Sequence, residues 1–147
     1  VMIHGRTLKQ GFSGEIDYEI IKKAKNYFNG TILANGGVMK SEDAQILLER
    51  TDADGVGIAR GAEGRPWIFN DAKNLFSGRE IEFKSQKQIF KIAYEHAKLA
   101  RKLKGKQGII EMRKHLCWYV QGMEGARELR GKFIKVETLK EIKEILR

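Results

Sequence analysis

Short apolar segments that end near glycine alternate with helical patterns through the first half of the chain. The strand-like segments cover residues 1–4, 31–34 and 55–59, and a helical pattern follows each of them. This alternation is typical of parallel βα units, because a parallel strand needs a crossover before the next strand can begin. The second half shows helical periodicity only. We therefore predict an α/β domain at residues 1–80 followed by an all-α domain at residues 81–147.

The helical patterns of the first half cover residues 16–28, 42–49 and 66–76. Ser41 is the expected N-cap of the second helix, and Pro66 opens the third, where a missing N–H costs little. The first helix is expected to bury one apolar face, made of Ile20, Ile21, Ala24 and Phe28.

Four helices are expected in the second half, at residues 86–103, 109–121, 126–132 and 136–146, with residues 104–108 as a loop. The first has an apolar face of Ile89, Ile92, Ala93, His96, Ala100 and Leu103, opposite a lysine stripe of Lys87, Lys91, Lys98 and Lys102. The second is expected to bury Ile109, Met112, Leu116 and Val120.

The net charge of +9 lies entirely in the second half. Residues 1–69 hold nine basic and nine acidic side chains, whereas residues 70–147 hold nineteen basic and ten acidic ones. Such asymmetry indicates a unit that meets a polyanion such as nucleic acid, although a solvated lysine-rich surface has the same composition. The single cysteine excludes an internal disulfide and favours a cytoplasmic setting. No apolar run is long enough to span a membrane.

The chain opens on an apolar strand with no start methionine or polar leader, so we expect a piece of a longer protein. Three βα units cannot close a barrel by themselves. An open doubly wound sheet is one solution. We favour a fragment of an eight-stranded (β/α) barrel, because the chain starts abruptly and glycine follows the successive strands.

Two glycine-containing turns follow the second and third strands: Asn35-Gly36-Gly37 and Ala59-Arg60-Gly61. Loops after the last strands of a βα barrel commonly hold a phosphate, since glycine lets backbone N–H groups approach the anion. Arg60 would add a positively charged guanidinium that can donate two hydrogen bonds to the phosphate. The alternative is that these glycines only make tight turns.

His4 and Arg6 follow the first strand, where a barrel presents ligand-binding side chains. An ordinary loop histidine and surface arginine are the alternative. We interpret His96 as a hydrogen-bonded core residue and Cys117 as a packing residue. The histidines and the cysteine lack metal-ligand spacing, so no metal site is predicted.

A second candidate site lies on the predicted helix at residues 109–121. Lys114 and His115 lie four and three residues before Trp118, so all three should share a face. An exposed tryptophan beside cations suits RNA, because the ring can stack on a base while the cations meet phosphate. The alternative is that Trp118 packs between the two domains. Arg127, Arg130, Lys132 and Lys135 continue the positive surface.

Taken in order, these motifs resemble the tRNA-dihydrouridine synthases of the bacterial type over essentially the whole chain. The motifs are His4-Gly5-Arg6-Thr7, Phe12-Ser13-Gly14, Ala34-Asn35-Gly36-Gly37, Ala59-Arg60-Gly61-Ala62, Gly64-Arg65-Pro66-Trp67-Ile68-Phe69, Met112-Arg113-Lys114-His115, Trp118-Tyr119 and Arg130. Two positions depart from the family, which often has Asn-Gly-Asp at residues 35–37 and Gly-Arg at residues 59–60.

The resemblance implies a TIM barrel with FMN that reduces uridine in tRNA, using NADPH as the reductant. It implies that Asn35, Gly36, Gly37, Ala59 and Arg60 hold the flavin phosphate, with His4 near the flavin ring. Arg6 would contact the substrate. The helical domain would bind tRNA, through Arg113, Lys114, His115, Trp118 and Arg130.

The family's catalytic cysteine lies earlier than these motifs, and Cys117 does not match it, so this chain alone is expected to be inactive. Two other functions remain open. One is another FMN-binding or phosphate-binding barrel acting on a small molecule, similar to dihydroorotate dehydrogenase. The other is a non-catalytic RNA-binding fragment. The sequence leaves the oligomeric state undetermined.

Overall fold

The computed structural model describes all residues from Val1 to Arg147. Three short strands, β1 (Met2–His4), β2 (Leu33–Asn35) and β3 (Gly55–Gly57), form a parallel sheet in the order β1-β2-β3. Asn35 at the end of β2 is level with the last residue of each neighbouring strand. The carboxyl ends of all three strands therefore lie side by side at one edge of the sheet.

Six α-helices accompany the sheet. They are α1 (Tyr18–Lys23), α2 (Ser41–Thr51), α3 (Ile68–Phe76), α4 (Gln86–Tyr119), α5 (Ala126–Phe133) and α6 (Leu139–Ile145), with short 3₁₀ helices at Ala24–Asn26 and Arg60–Ala62. None of the helices has the length and apolar character that crossing a lipid bilayer requires.

The chain divides into two compact units, one of residues 1–62 with 66–82 and the other of residues 63–65 with 83–147. The first unit packs helices against the sheet around a core that includes Ile21, Ile32, Ala34, Ala44 and Leu47. Asp54 fastens the start of β2, because its carboxylate accepts the Ile32 N–H at 2.8 Å. That hydrogen bond and the nearby Lys25 lower the pKa of Asp54.

Three details of the first unit differ from the sequence prediction. α1 begins at Tyr18 rather than residue 16, because the Asp17 carboxylate caps it by accepting the Ile20 N–H. The helix is short, and Ile20 and Phe28 of the predicted apolar face are 54% and 41% exposed. Only Ile21 of that face is fully buried.

The starts of α2 and α3 were also predicted wrongly. Ser41 is the first residue of α2 rather than its cap, and the Asp43 carboxylate accepts the backbone N–H groups of Met39 and Lys40 instead. α3 begins at Ile68, two residues after Pro66.

The second unit contains the two predicted helices, both within α4, but a single residue joins them where a five-residue loop was predicted. Only Gly105 leaves the helical conformation within α4, with φ 61° and ψ −141°, so residues 86–104 and 106–119 are two helical parts meeting at one residue. The predicted loop at residues 104–108 is therefore wrong. Leu103, predicted to face inward, is 72% exposed.

The core of the second unit comes mainly from the later part of α4. All four residues predicted to be inward there are buried, as are Phe133 of α5 and Ile142 of α6. α6 begins after Thr138, whose hydroxyl caps it by accepting the Glu141 N–H, so the predicted start at residue 136 is wrong. Val136 is buried ahead of the helix.

Gly108 is where the two parts of α4 come into contact. A Cβ added there would lie 2.1 Å from the Ala100 carbonyl oxygen, and backbone atoms cannot move aside as a side-chain tip can. Gly131, inside α5, has open space around its Cα.

We expect Gly108→Ala to lower the free energy of unfolding by about 1–3 kcal/mol, because the methyl group overpacks a backbone contact. Gly131→Ala is the matched control and should raise it by about 0.5–1 kcal/mol, since alanine favours the helix. Urea unfolding followed by circular dichroism measures both variants. Equal effects of the two substitutions would contradict the close crossing at Gly108.

Candidate functional site

The turn after β2 contains two positions that only glycine can occupy without backbone strain. Gly36 and Gly37 have φ angles of 124° and 69°, in the region that side chains avoid. A Cβ on Gly36 would also lie 2.8 Å from the Ile16 side chain and 3.4 Å from the His4 ring. The turn therefore has no side chains of its own at the carboxyl edge of the sheet, and Gly37 is exposed there.

Asn35 joins the ends of all three strands through its side chain. Its Nδ2 donates to the Gly57 carbonyl oxygen of β3 at 2.9 Å, and its Oδ1 lies 2.6 Å from Nδ1 of His4 in β1. Because the carbonyl needs a donor, the amide orientation is fixed and Oδ1 must accept from His4. The neutral His4 ring therefore carries its proton on Nδ1 and presents Nε2 as an acceptor beside Gly36.

Arg60 follows β3 and begins the 3₁₀ helix there. Its guanidinium carbon lies 3.9 Å from the ring centroid of Phe12, a residue of the loop after β1 that is itself 68% exposed. Stacking on the ring holds the planar cation in one orientation while leaving its edge able to donate hydrogen bonds.

These residues enclose a cavity of about 210 Å³ at the strand ends. All six residues predicted to bind the cofactor line it: His4, Asn35, Gly36, Gly37, Ala59 and Arg60. Phe12, Val38, Met39 and Gly57 complete the lining. The sequence motif included Phe12, but nothing in the sequence indicated that its loop reaches Arg60.

The cavity favours an anion. The turn after β2 leads into the N-terminus of α2, and Arg60 supplies a full positive charge. Arg6 lies nearby, because a Cβ on Gly37 would be 3.8 Å from its Nη2, and its Nε donates to the Gly14 carbonyl oxygen. The Nη1 atom of Arg6 is buried with no hydrogen-bond partner. A buried donor of this kind is costly unless a ligand supplies an acceptor.

In the second unit, Lys114, His115 and Trp118 form a cluster on the later part of α4. The Lys114 ammonium lies 4.6 Å from the Trp118 ring centroid, and the His115 ring meets the Trp118 ring edge-on with centroids 5.0 Å apart. The tryptophan is half-buried, and a Cβ on Gly64 would meet its backbone rather than its ring.

His96 and His115 bring the two parts of α4 into contact, and His115 also belongs to the cluster with Lys114 and Trp118. The His96 and His115 ring centroids are 5.3 Å apart, and Nδ1 of His96 lies 3.2 Å from the Tyr119 hydroxyl. His96 is thus half-buried and hydrogen-bonded. Burial lowers the pKa of both histidines, and each has a cation or a second histidine beside it that lowers it further. Burial also raises the pKa of Tyr119 to about 12.

Arg113 and Arg130, the other predicted tRNA-binding residues, make internal contacts. Arg113 donates from Nε to the Val136 carbonyl oxygen at 2.9 Å and lies 3.8 Å from Glu137, so it ties α4 to the segment before α6. Arg130 is exposed and donates to the Ala126 carbonyl oxygen of its own helix. Cys117 is half-buried, and burial raises the pKa of its thiol.

Comparison with known proteins gives a consistent result over the whole chain. A family model described as "Dihydrouridine synthase (Dus)" matches residues 1–147. A probable tRNA-dihydrouridine synthase 1 of Synechocystis sp. is 32% identical over 98% of this chain. A tRNA-dihydrouridine synthase B of Pseudomonas syringae pv. tomato is 34% identical over 92%, and a probable tRNA-dihydrouridine synthase of Mycobacterium leprae is 34% identical over 97%. The chain spans 41%, 41% and 38% of the length of these three relatives, respectively.

The histidine pair makes the second unit sensitive to acid. Both groups have a pKa below the ordinary value of 6.5, so the unfolded chain binds protons more readily than the folded one as the pH falls through that value. The stability they contribute is fully present above about pH 7 and is lost as the pH falls toward their folded pKa values. We therefore expect the free energy of unfolding to fall between pH 7.5 and 5.5.

Urea unfolding in a Trp67→Phe background, where Trp118 reports on the second unit, measures this pH dependence. His96→Gln can still hydrogen-bond Tyr119 but does not titrate, so it should flatten the dependence. An unchanged pH slope in His96→Gln would contradict this assignment.

Proposed function

Because the chain belongs to the dihydrouridine synthase family, we propose that it is the C-terminal part of a flavin-dependent tRNA-dihydrouridine synthase. The enzyme is an oxidoreductase that reduces the C5–C6 double bond of uridine in tRNA, with FMN as cofactor and NADPH as reductant. The observation that carries this proposal is the cavity at the strand ends, which is lined by all six residues that the family resemblance assigns to the flavin.

The cavity suits the phosphate of FMN. The turn at Gly36 and Gly37 has no side chains of its own, so its backbone N–H groups could donate to the phosphate. The stacked Arg60 adds a charged hydrogen-bond donor. Arg6 lies beside Gly37 without lining the cavity, so its buried and unpartnered Nη1 would have to turn toward a bound phosphate to donate to it. The same Arg6 is proposed to contact the substrate, and its position beside Gly37 is compatible with either contact.

His4 is proposed to lie against the flavin ring. Its Nδ1 proton is committed to Asn35, so the neutral ring accepts a hydrogen bond through Nε2, and it donates there only when protonated. Bound FMN would supply the hydride chemistry, while these side chains bind and orient it.

A barrel is the proposed setting for this site. Both β1 and β3 pair on one side only, which leaves two open strand edges that further parallel strands would satisfy. We propose that residues 1–80 are the last βα units of this barrel and that residues 81–147 are a tRNA-binding domain.

In the tRNA-binding domain, Lys114, His115 and Trp118 are the proposed contacts, with Arg130 extending the surface and Arg113 supporting the helix that carries them. A cytoplasmic location accompanies this substrate. Cys117 does not line the strand-end cavity, and burial raises the pKa of its thiol, so we expect the catalytic cysteine elsewhere in the protein.

Dihydrouridine formation tests the proposal directly. The full-length protein, incubated with NADPH, FMN and unmodified tRNA, should yield dihydrouridine detectable by nucleoside mass spectrometry. At limiting FMN we expect Arg60→Gln to lose about tenfold in activity and to recover at excess FMN, because one charge-assisted contact is worth roughly 1.5 kcal/mol.

Arg50→Gln is the matched control. Arg50 also stacks on an aromatic ring in the first unit, with its guanidinium 3.8 Å from the Tyr18 centroid, but it does not line the cavity. This variant should keep full activity. If no dihydrouridine forms while a small-molecule substrate reoxidises the flavin, the protein is a small-molecule flavoenzyme instead.

A further inference from the structure

A wide groove lies between the first turns of α4 and the end of α6, away from the Trp118 cluster. It encloses about 1030 Å³ and belongs wholly to the second unit. Its floor is apolar and comes from Phe90, Tyr94 and Leu146. Phe90 and Tyr94 are four residues apart on the helix, so their rings share one face.

Four cations surround this floor, and no aspartate or glutamate side chain lines the groove. The cations are Lys87, Lys91, Lys143 and Arg147. None of the four takes part in an ion pair, whereas Lys98, Lys104 and Lys132 of the same unit each hold a glutamate. Unpaired like charges around an apolar floor repel one another and gain from a bound polyanion.

The combination selects one kind of polyanion. A duplex presents phosphates outward and would leave the aromatic floor uncovered, whereas unpaired nucleotides bring bases to stack on the rings and phosphates to meet the cations. We propose that this groove binds an unpaired segment of RNA, separately from the Lys114–Trp118 cluster. The inference rests on the proposed function for its choice of RNA, and it adds a second contact surface on the helical unit.

The salt dependence of binding distinguishes the contribution of the cations in the groove from that of its aromatic rings. The probe is a fluorescent oligouridylate of about ten nucleotides, bound to the full-length protein over a range of salt concentrations. Lys87→Gln with Lys91→Gln should weaken binding about tenfold and flatten the slope of log K against log salt by about 1.4, since each phosphate contact on a single strand contributes about 0.7.

Phe90→Leu with Tyr94→Leu should weaken binding by about tenfold with an unchanged salt slope, because stacking releases no counterions. Tyr94→Phe keeps the aromatic ring and should bind like the unaltered protein, which shows that the ring rather than the hydroxyl group contributes to binding. Circular dichroism checks that each variant is folded. Arg101→Gln with Lys102→Gln removes the same charge from exposed positions of α4 outside the groove, and it should change the affinity by less than about twofold.

Three outcomes would overturn the inference. The first is equal loss in the groove and control charge variants. The second is unchanged binding in the doubly substituted Leu variant. The third is competition by polyglutamate as effective as that by oligouridylate, which would indicate an acidic protein partner instead.

The outcome for the proposed function is read separately. If the protein forms dihydrouridine but the groove variants bind oligouridylate like the controls, the RNA-binding role of the groove is refuted and the proposed activity stands. Loss of oligouridylate affinity in the groove variants, in a protein that forms no dihydrouridine, would remove only the proposed activity.

Discussion

The side chain of Asn35 is the interaction on which the candidate cofactor site depends. It hydrogen-bonds β3 through the Gly57 carbonyl and β1 through His4, so it holds three separate strand ends in register. The glycine turn follows directly, and His4 and Arg60 reach the same cavity because their strands end level with β2. The amide also fixes the His4 tautomer, which decides what the ring can offer a ligand.

The helical unit depends on the packing of its helices rather than on one polar side chain. Its core comes from the later part of α4, packed with residues of α5 and α6, and Gly108 lets the two parts of α4 approach through their backbones. The excess of lysine and arginine is left on the surface, partly paired with glutamates and partly without an ion-pair partner. The cations without such a partner cluster beside aromatic rings in two places, near Trp118 and near Phe90. Each place combines a cation with an aromatic ring, and the two proposed RNA contacts rest on that combination.

Much of the site could be predicted because it depends on local sequence. Asparagine followed by two glycines after an apolar strand indicates a turn that only glycine can form, and Gly36 and Gly37 have those angles. Residues 104–108 were predicted as a loop, but Gly105 alone makes the bend and Gly108 is needed for packing. Contacts between distant residues could not be predicted. Phe12 stacks on Arg60, and Phe90 and Leu146 line the same groove, across long stretches of chain, and no periodic pattern encodes such pairs.

The affinity of the full-length protein for FMN relative to riboflavin tests the central claim most directly, because the two flavins differ only in the phosphate. If the turn at Gly36 and Gly37 with Arg60 binds that phosphate, FMN should bind roughly a hundredfold more tightly, the effect of two charge-assisted hydrogen bonds. Arg60→Gln should narrow this ratio while leaving riboflavin affinity unchanged. Equal affinities for the two flavins in the unaltered protein would contradict the assignment of the strand-end cavity as a phosphate site.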